Sequence, residues 1–247
     1  MAKGKIFLTT QWTHLAMLNY VVDPEILRSH VPRGTELDTF AGQAFVSMVG
    51  FRFQQTRVFG LSMPFHRNFV EVNLRFYVRR QMSTGWRRGV VFLKEVVALP
   101  IVAWTARKFY DENFWVLPTR YALDMATDDP LQVRGASYQW KFQGEWQRLA
   151  VKTVGELKPT TVGSEEQFIA EHYWGYTRRR DGSTSEYCVE HPPWQIWEVS
   201  EAQFECDVSR LYGPEFAGPL SAVPHSAFLA AGSQVTVRRG QKLSVQG

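Results

Sequence analysis

The segment from residue 69 to residue 78 constrains the fold of this chain more than any other stretch. It reads FVEVNLRFYV, in which apolar and polar side chains alternate from Val70 to Val78. A period of two is typical of a β-strand, because successive side chains point to opposite faces of a sheet. The apolar face consists of Val70, Val72, Leu74, Phe76 and Val78. The polar face consists of Glu71, Asn73, Arg75 and Tyr77.

Two interpretations of this polar face are open. In the first, the strand belongs to a sheet with one solvated face, and the four polar side chains meet water. In the second, the face lines the interior of a barrel-like sheet, where Glu71 and Arg75 must pair and hold an anionic or carbonyl ligand. In an enzyme of this kind, Arg75 is the clamp for a carboxylate or oxyanion and Glu71 is the general acid or base. Asn73 and Tyr77 then contact the ligand.

Other segments with a period of two indicate that strands dominate the chain. They predict strands at residues 44–53, 90–97, 138–142, 146–154, 173–179, 185–190, 195–205 and 234–238. Ala41 and Gly42 predict a hairpin turn between a strand at residues 37–40 and the strand that begins at residue 44. Residues 54–68 are predicted to form a long irregular loop.

Helices are fewer, and they carry recognisable start signals. Asp23 followed by Pro24 predicts a helix that ends near residues 32–34. Ser164 opens a capping box ahead of a second helix, and residues 207–212 predict a short one. A helix at Leu99–Tyr110 is predicted to cover the sheet with its apolar face. This pattern favours a strand-dominated α+β fold, an antiparallel β-barrel or cone-like curved sheet with a few covering helices, in a single domain over residues 1–247.

Composition excludes several other classes of protein. The chain is 45% hydrophobic and 21% charged and has no apolar run as long as a membrane span, so neither a disordered nor a membrane-spanning chain is expected. Gln11 and His14 interrupt the apolar stretch behind the basic N-terminus, so we expect no secretory signal peptide and a cytoplasmic protein. Cys188 and Cys206 lack the spacing of a zinc or redox motif and are expected to be reduced thiols.

Charge and motif spacing narrow the set of partners. The net charge is +4, but arginine pairs such as Arg79-Arg80 and Arg87-Arg88 flank residues typical of turns, where solvated hairpin ends are expected. No nucleic-acid-binding motif is present, so we expect neither nucleic acid nor membrane as a partner. The histidines show no metal-binding spacing, and the chain has no Gly-x-Ser-x-Gly elbow and no phosphate-binding loop. We therefore expect no metal and no cofactor, and leave open whether copies form a homo-oligomer.

Four stretches together resemble a known family. They are HLAMLNYVVDPEILRSHVPRGTELDTFAGQAFVSMVGFRF at residues 14–53, FVEVNLRFYV at 69–78, ARKFYDENFWVLPTRYALDM at 106–125 and VEHPPWQIW at 189–197. Taken in order, they resemble the YqjF-like family of uncharacterised bacterial proteins, in the acetoacetate decarboxylase-like superfamily. The resemblance implies a barrel or cone-like sheet with covering helices and an internal cavity.

The resemblance also bears on two positions of the reaction centre. In the decarboxylase relatives, a glutamate on a central strand helps form the cavity, and Glu71 is the matching residue here. Their Schiff-base lysine lies in a Gly-aromatic-Pro-Lys-Lys stretch after the covering helix. The matching residues here are Val116-Leu117-Pro118-Thr119-Arg120, and the lysine is missing. A desolvated amine is the nucleophile of that mechanism, so acetoacetate decarboxylase activity by this route is not assigned.

Four further residues are candidates for ligand contact. Lys94 shares the parity of Val90 and Phe92, so it is either a buried lysine with a depressed pKa or a lysine that reaches solvent or a carboxylate. Arg107 and Tyr110, in the family-like ARKFY stretch, lie one predicted helical turn apart, so both side chains can contact the same point. Alternatively, Arg107 connects the helix to the sheet. His191 is the histidine that the resemblance marks, and its alternative is a loop histidine packed under tryptophan.

These observations predict a protein that binds a small organic acid or carbonyl compound in a barrel interior. An aromatic-rich interior with few polar groups suits a small, mostly apolar ligand with one carboxylate or carbonyl. Lyase-type chemistry is the nearest analogy, and whether the protein is an enzyme is left open. The alternative is a non-catalytic small-molecule binding or interaction protein that retains only the fold.

Overall fold

Strands make up most of the folded chain. The computed structural model describes residues 4–62, 67–100, 113–127 and 132–243. Within these ranges, fifteen strands belong to one sheet. They are β1 (Ile6–Val22), β2 (Glu36–Leu37), β3 (Ala44–Val58), β4 (Leu61–Ser62), β5 (Phe69–Met82), β6 (Gly85–Val97), β7 (Phe114–Val116), β8 (Thr119–Met125), β9 (Val133–Phe142), β10 (Glu145–Pro159), β11 (Trp174–Arg178), β12 (Thr184–Glu190), β13 (Gln195–Glu205), β14 (Ser226–Arg238) and β15 (Gln241–Lys242).

The strand order curves the sheet back on itself. The main path runs β15-β12-β11-β6-β5-β3-β1-β14-β13-β10-β9-β8. Because β12 also pairs with β14, the hydrogen-bonded path from β12 through β11, β6, β5, β3, β1 and β14 returns to its first strand. The predicted strand-dominated, cone-like fold is confirmed. The sheet is mixed, however, since β6 pairs in parallel with β7 and with β11.

Strand β5 lies at the centre of this curved sheet and is buried on both faces. It pairs antiparallel with β3 on one side and with β6 on the other. Its apolar face packs into the larger hydrophobic core, where Val72, Leu74 and Phe76 are fully buried beside Tyr138 and Trp140 of β9. The opposite face of β5 turns toward a second, separate cluster of buried residues.

Strand β1 is 17 residues long and was not predicted. Its register with β3 shifts between Thr13 and Ala16, and His14 between them has a φ of 54°. Such a bulge reverses the side-chain alternation, so the sequence of β1 does not show a simple period of two along its length. Gly232 lies opposite Thr13 with a φ of 83°, and a Cβ there would overlap the carbonyl oxygen of Trp12.

Two predictions for residues 36–68 are wrong. The turn at Ala41-Gly42 exists and closes the bridge between Phe40 and Gln43, but β2 pairs with β5 instead of with β3. The predicted loop at 54–68 is also too long, because β3 continues to Val58 and pairs with β4. Both differences arise because tertiary packing determines which strands pair, and a local sequence pattern carries no information about that packing.

The helices are short, and their caps follow the sequence signals. They are α1 (Pro24–Arg28), α2 (Glu165–Ala170), α3 (Val208–Leu211) and α4 (Pro214–Ser221). Asp23 caps α1 by accepting a hydrogen bond from Glu25 N at 2.9 Å, and Ser164 caps α2 by accepting from Gln167 N at 3.2 Å.

Helix α1 ends earlier than predicted, and α4 was not predicted. Residues 101–112, which include most of the helix predicted at Leu99–Tyr110, lie outside the described residues. No helix in the described ranges is long and apolar enough to cross a membrane.

Arginines near the β5–β6 hairpin hold buried carboxylates, so the prediction that they only decorate solvated turns is wrong. Arg80 and Arg87 bind the two oxygens of Glu186 at 3.1 and 2.6 Å, and the Glu186 side chain is fully buried. Arg88 Nε donates to Asp38 Oδ2 at 2.5 Å. These ion pairs tie the hairpin to β12 and to the segment after β2.

We expect Gly175→Ala to destabilise the fold by about 1–3 kcal/mol through overpacking. Gly175 of β11 pairs with Tyr187 of β12, and an added Cβ would overlap the Tyr187 ring. The control is Gly218→Ala in α4, where no atom lies near the added methyl group and a gain of about 0.5–1 kcal/mol is expected. Urea unfolding followed by tryptophan fluorescence measures both, and equal midpoints would contradict the packing described for β11.

Candidate functional site

The polar face of β5 is buried, so its interpretation as a solvated face is wrong. Glu71, Asn73, Arg75 and Tyr77 are 4%, 1%, 8% and 1% exposed. Side chains of β1, β3 and β14 and helix α2 cover this face with apolar groups, among them Leu15, Met17, Phe45, Val49, Phe168, Ile169 and Phe228. Polar groups in such surroundings lose their hydration and need partners inside the protein.

At one end of the face, an amide lies beside two carboxylates. Asn73 Nδ2 donates a hydrogen bond to Glu71 Oε1 at 2.9 Å. Glu95 of β6 stands opposite Asn73 in the β5–β6 register and is also buried. The other amide atom, Asn73 Oδ1, has no hydrogen-bond partner among the described residues. This end therefore offers a buried acceptor beside a carboxylate.

Arg75 is a buried cation without a counter-ion in the described parts of the chain. Its Nη2 donates to the carbonyl oxygen of Ile169 at 3.3 Å and lies 3.7 Å from Met17 Sδ. Its Nε is buried and has no hydrogen-bond partner among the described residues. The expected pairing of Arg75 with Glu71 does not form, because four residues along a strand separate the two Cα atoms by about 13 Å.

The hydroxyl group of Tyr77 is bound into a chain of hydrogen bonds. It lies 2.6 Å from Ser47 Oγ, and Ser47 Oγ donates to Asn19 Oδ1 at 2.6 Å. Since the serine has one hydroxyl hydrogen, Tyr77 is the donor toward Ser47. Asn19 Nδ2 donates to Ser226 Oγ at 2.9 Å, and Ser226 donates to Glu165. What Tyr77 presents to its surroundings is therefore its ring.

A buried histidine that no sequence signal marks stands against this ring. His172 lies 4.7 Å from Tyr77 between ring centres, and its Nε2 is 3.2 Å from Asp38 Oδ2. Burial lowers the pKa of His172 to about 4, against the opposing effect of Asp38. Burial raises the pKa of the Asp38 carboxyl, but the hydrogen bonds from His172 and Arg88 outweigh it and leave that pKa below its usual value. The pair is therefore a neutral imidazole and an ionised carboxylate.

His191 is packed against tryptophan, as the second interpretation of this residue predicts. Its ring stacks on Trp194 with 4.0 Å between centres, and its Nδ1 is 2.8 Å from the carbonyl oxygen of Pro192. Burial lowers the pKa of His191 to about 4, the Pro192 contact opposes this, and the charge of Arg75 lowers the pKa further. The His191 ring is thus packed on tryptophan, and the positive charge of Arg75 disfavours its protonation. Trp12 lies near both rings, with 6.5 Å between its ring centre and that of His191.

Lys94 does not lie beside the polar side chains of β5. The β5–β6 register shifts between Leu74 and Arg75, so that Lys94 pairs with Leu74 on the opposite face from Phe92. The expectation of a shared parity with Phe92 is wrong for this reason. Lys94 Nζ donates to the carbonyl oxygen of Leu211 and lies 3.9 Å from the Trp115 ring centre, and burial lowers its pKa.

The remaining candidates lie elsewhere or beyond the described ranges. Arg107 and Tyr110 fall within residues 101–112, outside the described residues. Arg120, which stands in the stretch without the lysine, is exposed on β8 and donates to Gln139 Oε1 at 2.5 Å. In the part of the chain that the structure describes, no group of three or more His, Cys, Asp or Glu side chains could hold a metal ion. Cys206 is a free thiol.

Comparison with known proteins identifies relatives of both sequence and fold. Residues 9–234 match the profile of the DUF2071 family, described as an uncharacterized conserved protein. The uncharacterized protein YqjF of Bacillus subtilis (strain 168) is 28% identical over 199 residues, which cover 80% of this chain and 77% of that protein.

Two solved structures show the fold class. The enduracididine biosynthesis enzyme MppR complexed with pyruvate has a TM-score of 0.68 at 13% identity, covering 99% of this chain and 92% of that one. Acetoacetate decarboxylase from Legionella pneumophila subsp. pneumophila str. Philadelphia 1 has a TM-score of 0.65 at 11% identity, covering 99% of this chain and 90% of that one. The fold is therefore acetoacetate decarboxylase-like.

We expect acidification to destabilise the protein through His172. Its pKa is about 4 in the folded chain, against the ordinary value of 6.5 that it regains on unfolding. Between these values the unfolded state binds more protons, so the free energy of unfolding decreases as the pH falls from 6.5 toward 4. The loss reaches at most about 3 kcal/mol. Urea unfolding across this pH range measures it. His172→Gln should flatten the dependence, and an equal slope in wild type and variant would contradict the assignment.

Proposed function

We propose that this chain, which belongs to the DUF2071 family of uncharacterized conserved proteins, binds a small organic acid or carbonyl compound inside its curved sheet. The observation that carries the proposal is Arg75, a buried guanidinium with no ion-pair partner among the described residues. An uncompensated buried charge destabilises a folded protein unless something supplies the opposite charge. A carboxylate ligand would do so with charge-assisted hydrogen bonds of fork geometry.

The surroundings of Arg75 favour a small anion over a large polar ligand. His172 and His191 have lowered pKa values and are neutral at pH 7, so neither repels Arg75 nor competes for the anion. The rings of Trp12, His191 and Trp194 form an apolar wall nearby. Apolar walls with a few placed polar groups are typical of small-molecule sites.

The proposed roles follow from these positions. Arg75 clamps the carboxylate, and Glu71, held by Asn73, is the general acid or base if the bound molecule is turned over. Asn73, Tyr77 and His191 contact the ligand. Arg107 and Tyr110 also contact the ligand, as the resemblance implies. Lys94 does not, because it lies on the opposite face of β6.

A relative in fold supports the class of ligand. MppR was solved in complex with pyruvate, a small acid that also carries a carbonyl group. The proposal places an acid of that size in this chain, with Arg75 as its counter-ion. Residues 116–120 carry no lysine, so lyase-type chemistry here would proceed without the imine of the decarboxylase route.

We expect Arg75→Met to weaken pyruvate binding by about tenfold or more, since a hydrogen bond to a charged group contributes about 1.5–3 kcal/mol. The free energy of unfolding without ligand should stay equal or rise, because an uncompensated buried charge is removed. Isothermal titration calorimetry measures the first quantity and urea unfolding the second.

The matched control for this variant is Arg79→Met. Arg79 lies on the same strand, but it is half-exposed and paired with Glu36 at 2.7 Å. Its loss should leave pyruvate binding unchanged. Equal affinity for pyruvate in wild type, Arg75→Met and Arg79→Met would contradict the proposed site.

We also expect no covalent trapping of pyruvate by borohydride reduction. The stretch that matches the lysine-bearing segment of the decarboxylases has none, and Lys94 donates to Leu211 on the far face of the sheet. The intact mass after reduction should therefore equal that of the untreated protein. A mass increase by one reduced pyruvate unit would show that another lysine supplies the imine.

A further inference from the structure

His172 and Arg75 meet around one aromatic ring in the buried site. Arg75 Cζ lies 5.7 Å from the ring centre of Tyr77, and the His172 ring lies 4.7 Å from the same centre. Both are also held by the end of α2: Arg75 donates to the carbonyl oxygen of Ile169, and His172 contacts Phe168 at 5.0 Å. A small molecule bound to Arg75 therefore lies close to His172.

The contacts of His172 determine which of its nitrogens carries the proton. Asp38 Oδ2 already accepts a hydrogen bond from Arg88, and an ionised carboxylate can only accept. His172 Nε2, at 3.2 Å, is therefore the donor to Asp38. In a neutral imidazole the second nitrogen is then an acceptor. Arg88 and Asp38 thus fix the tautomer of the histidine.

The acceptor nitrogen of His172 lacks a hydrogen-bond donor in the part of the chain that the structure describes. His172 Nδ1 is fully buried and has no hydrogen-bond partner among the described residues. A buried acceptor without a donor destabilises the folded state, and such groups call for an explanation. Arg75 Nε, a buried donor, is in the same condition. A single ligand that carries both an anionic acceptor and a hydroxyl donor would satisfy the two groups together.

We infer that His172 is a specificity residue that selects hydroxy acids: its Nδ1 accepts a hydrogen bond from the hydroxyl of an acid whose carboxylate is bound by Arg75. The inference rests on the proposed function and names the ligand class for the same site. Asp38 and Arg88 are positioning residues, because they orient His172 without touching the ligand.

The free protein tests the tautomer without any ligand. Nitrogen-15 NMR of the histidine side chains distinguishes a protonated Nε2 from a protonated Nδ1, and the signal that disappears in His172→Gln assigns the residue. We expect a neutral ring with the proton on Nε2. A proton on Nδ1 would overturn the inference, because the nitrogen would then be a donor.

The binding test compares butyrate with 2-, 3- and 4-hydroxybutyrate, which share one carbon count and differ in the presence and place of the hydroxyl. Wild type should bind at least one hydroxybutyrate about tenfold more tightly than butyrate. His172→Gln can still donate to Asp38 from the position of Nε2 but has no acceptor in place of Nδ1. It should lose this preference and bind butyrate as wild type does. His30→Gln, which removes a histidine near Glu215 at 3.8 Å, should keep the preference.

The outcomes separate this inference from the proposal beneath it. If wild type binds all four acids equally, or if the preference for a hydroxy acid persists in His172→Gln, the inference is overturned while the proposed acid site stands. If wild type binds pyruvate through Arg75 but none of the four acids, the inference is overturned as well. If it binds neither pyruvate nor any of the four acids, the proposed site fails and the inference fails with it.

Discussion

Strand β5 is hydrogen-bonded on both edges and buried on both faces, and the rest of the structure is arranged around it. Its apolar side chains complete the larger core, so a shift of register by one residue would move Val72, Leu74 and Phe76 out of that core. The same constraint holds Glu71, Asn73 and Arg75 away from water on the other face. The burial of the polar face is therefore a consequence of how the hydrophobic core is built.

The polar residues on this face are satisfied unevenly, and the proposed ligand rests on that pattern. The Tyr77 hydroxyl, Ser47 and Asn19 form a directed chain of hydrogen bonds. Within the described ranges, in contrast, the charge of Arg75 is surrounded only by a carbonyl oxygen, a thioether and the neighbouring aromatic ring. Natural proteins accept such local destabilisation at functional sites when the surrounding structure is stable enough to hold it.

Local signals in the sequence were enough to predict part of the fold. The alternation at residues 69–78 predicted a strand, and Asp23 and Ser164 predicted two helix starts, because each depends on neighbours within a few residues. Strand β1 was not predicted, because the bulge at His14 reverses its side-chain alternation. Lys94 was assigned to the wrong face of β6, because the register shift beside it has the same effect and no fixed sequence signal marks it. Long-range pairing could not be predicted in the same way.

The candidate site shows the same limit. The pattern of residues 71–77 is equally compatible with a solvated face and with a buried one, and the choice depends on β1 and α2, which are distant in sequence. Asp38 and His172 are 134 residues apart, so no spacing rule could have joined them. The resemblance pointed to Glu71 and His191, whereas the contact between Asp38 and His172 can be recognised only in the three-dimensional structure.

The central claim is that Arg75 is the anion-binding group of this protein. Nitrogen-15 NMR of the arginine Nε–H groups during a pyruvate titration tests it most directly, because the Nε of Arg75 is a buried donor without a partner among the described residues. The account predicts a saturable shift of the Arg75 signal and no shift of the Arg79 signal. An Arg75 signal that stays in place while pyruvate binds, or no binding at all, would contradict it.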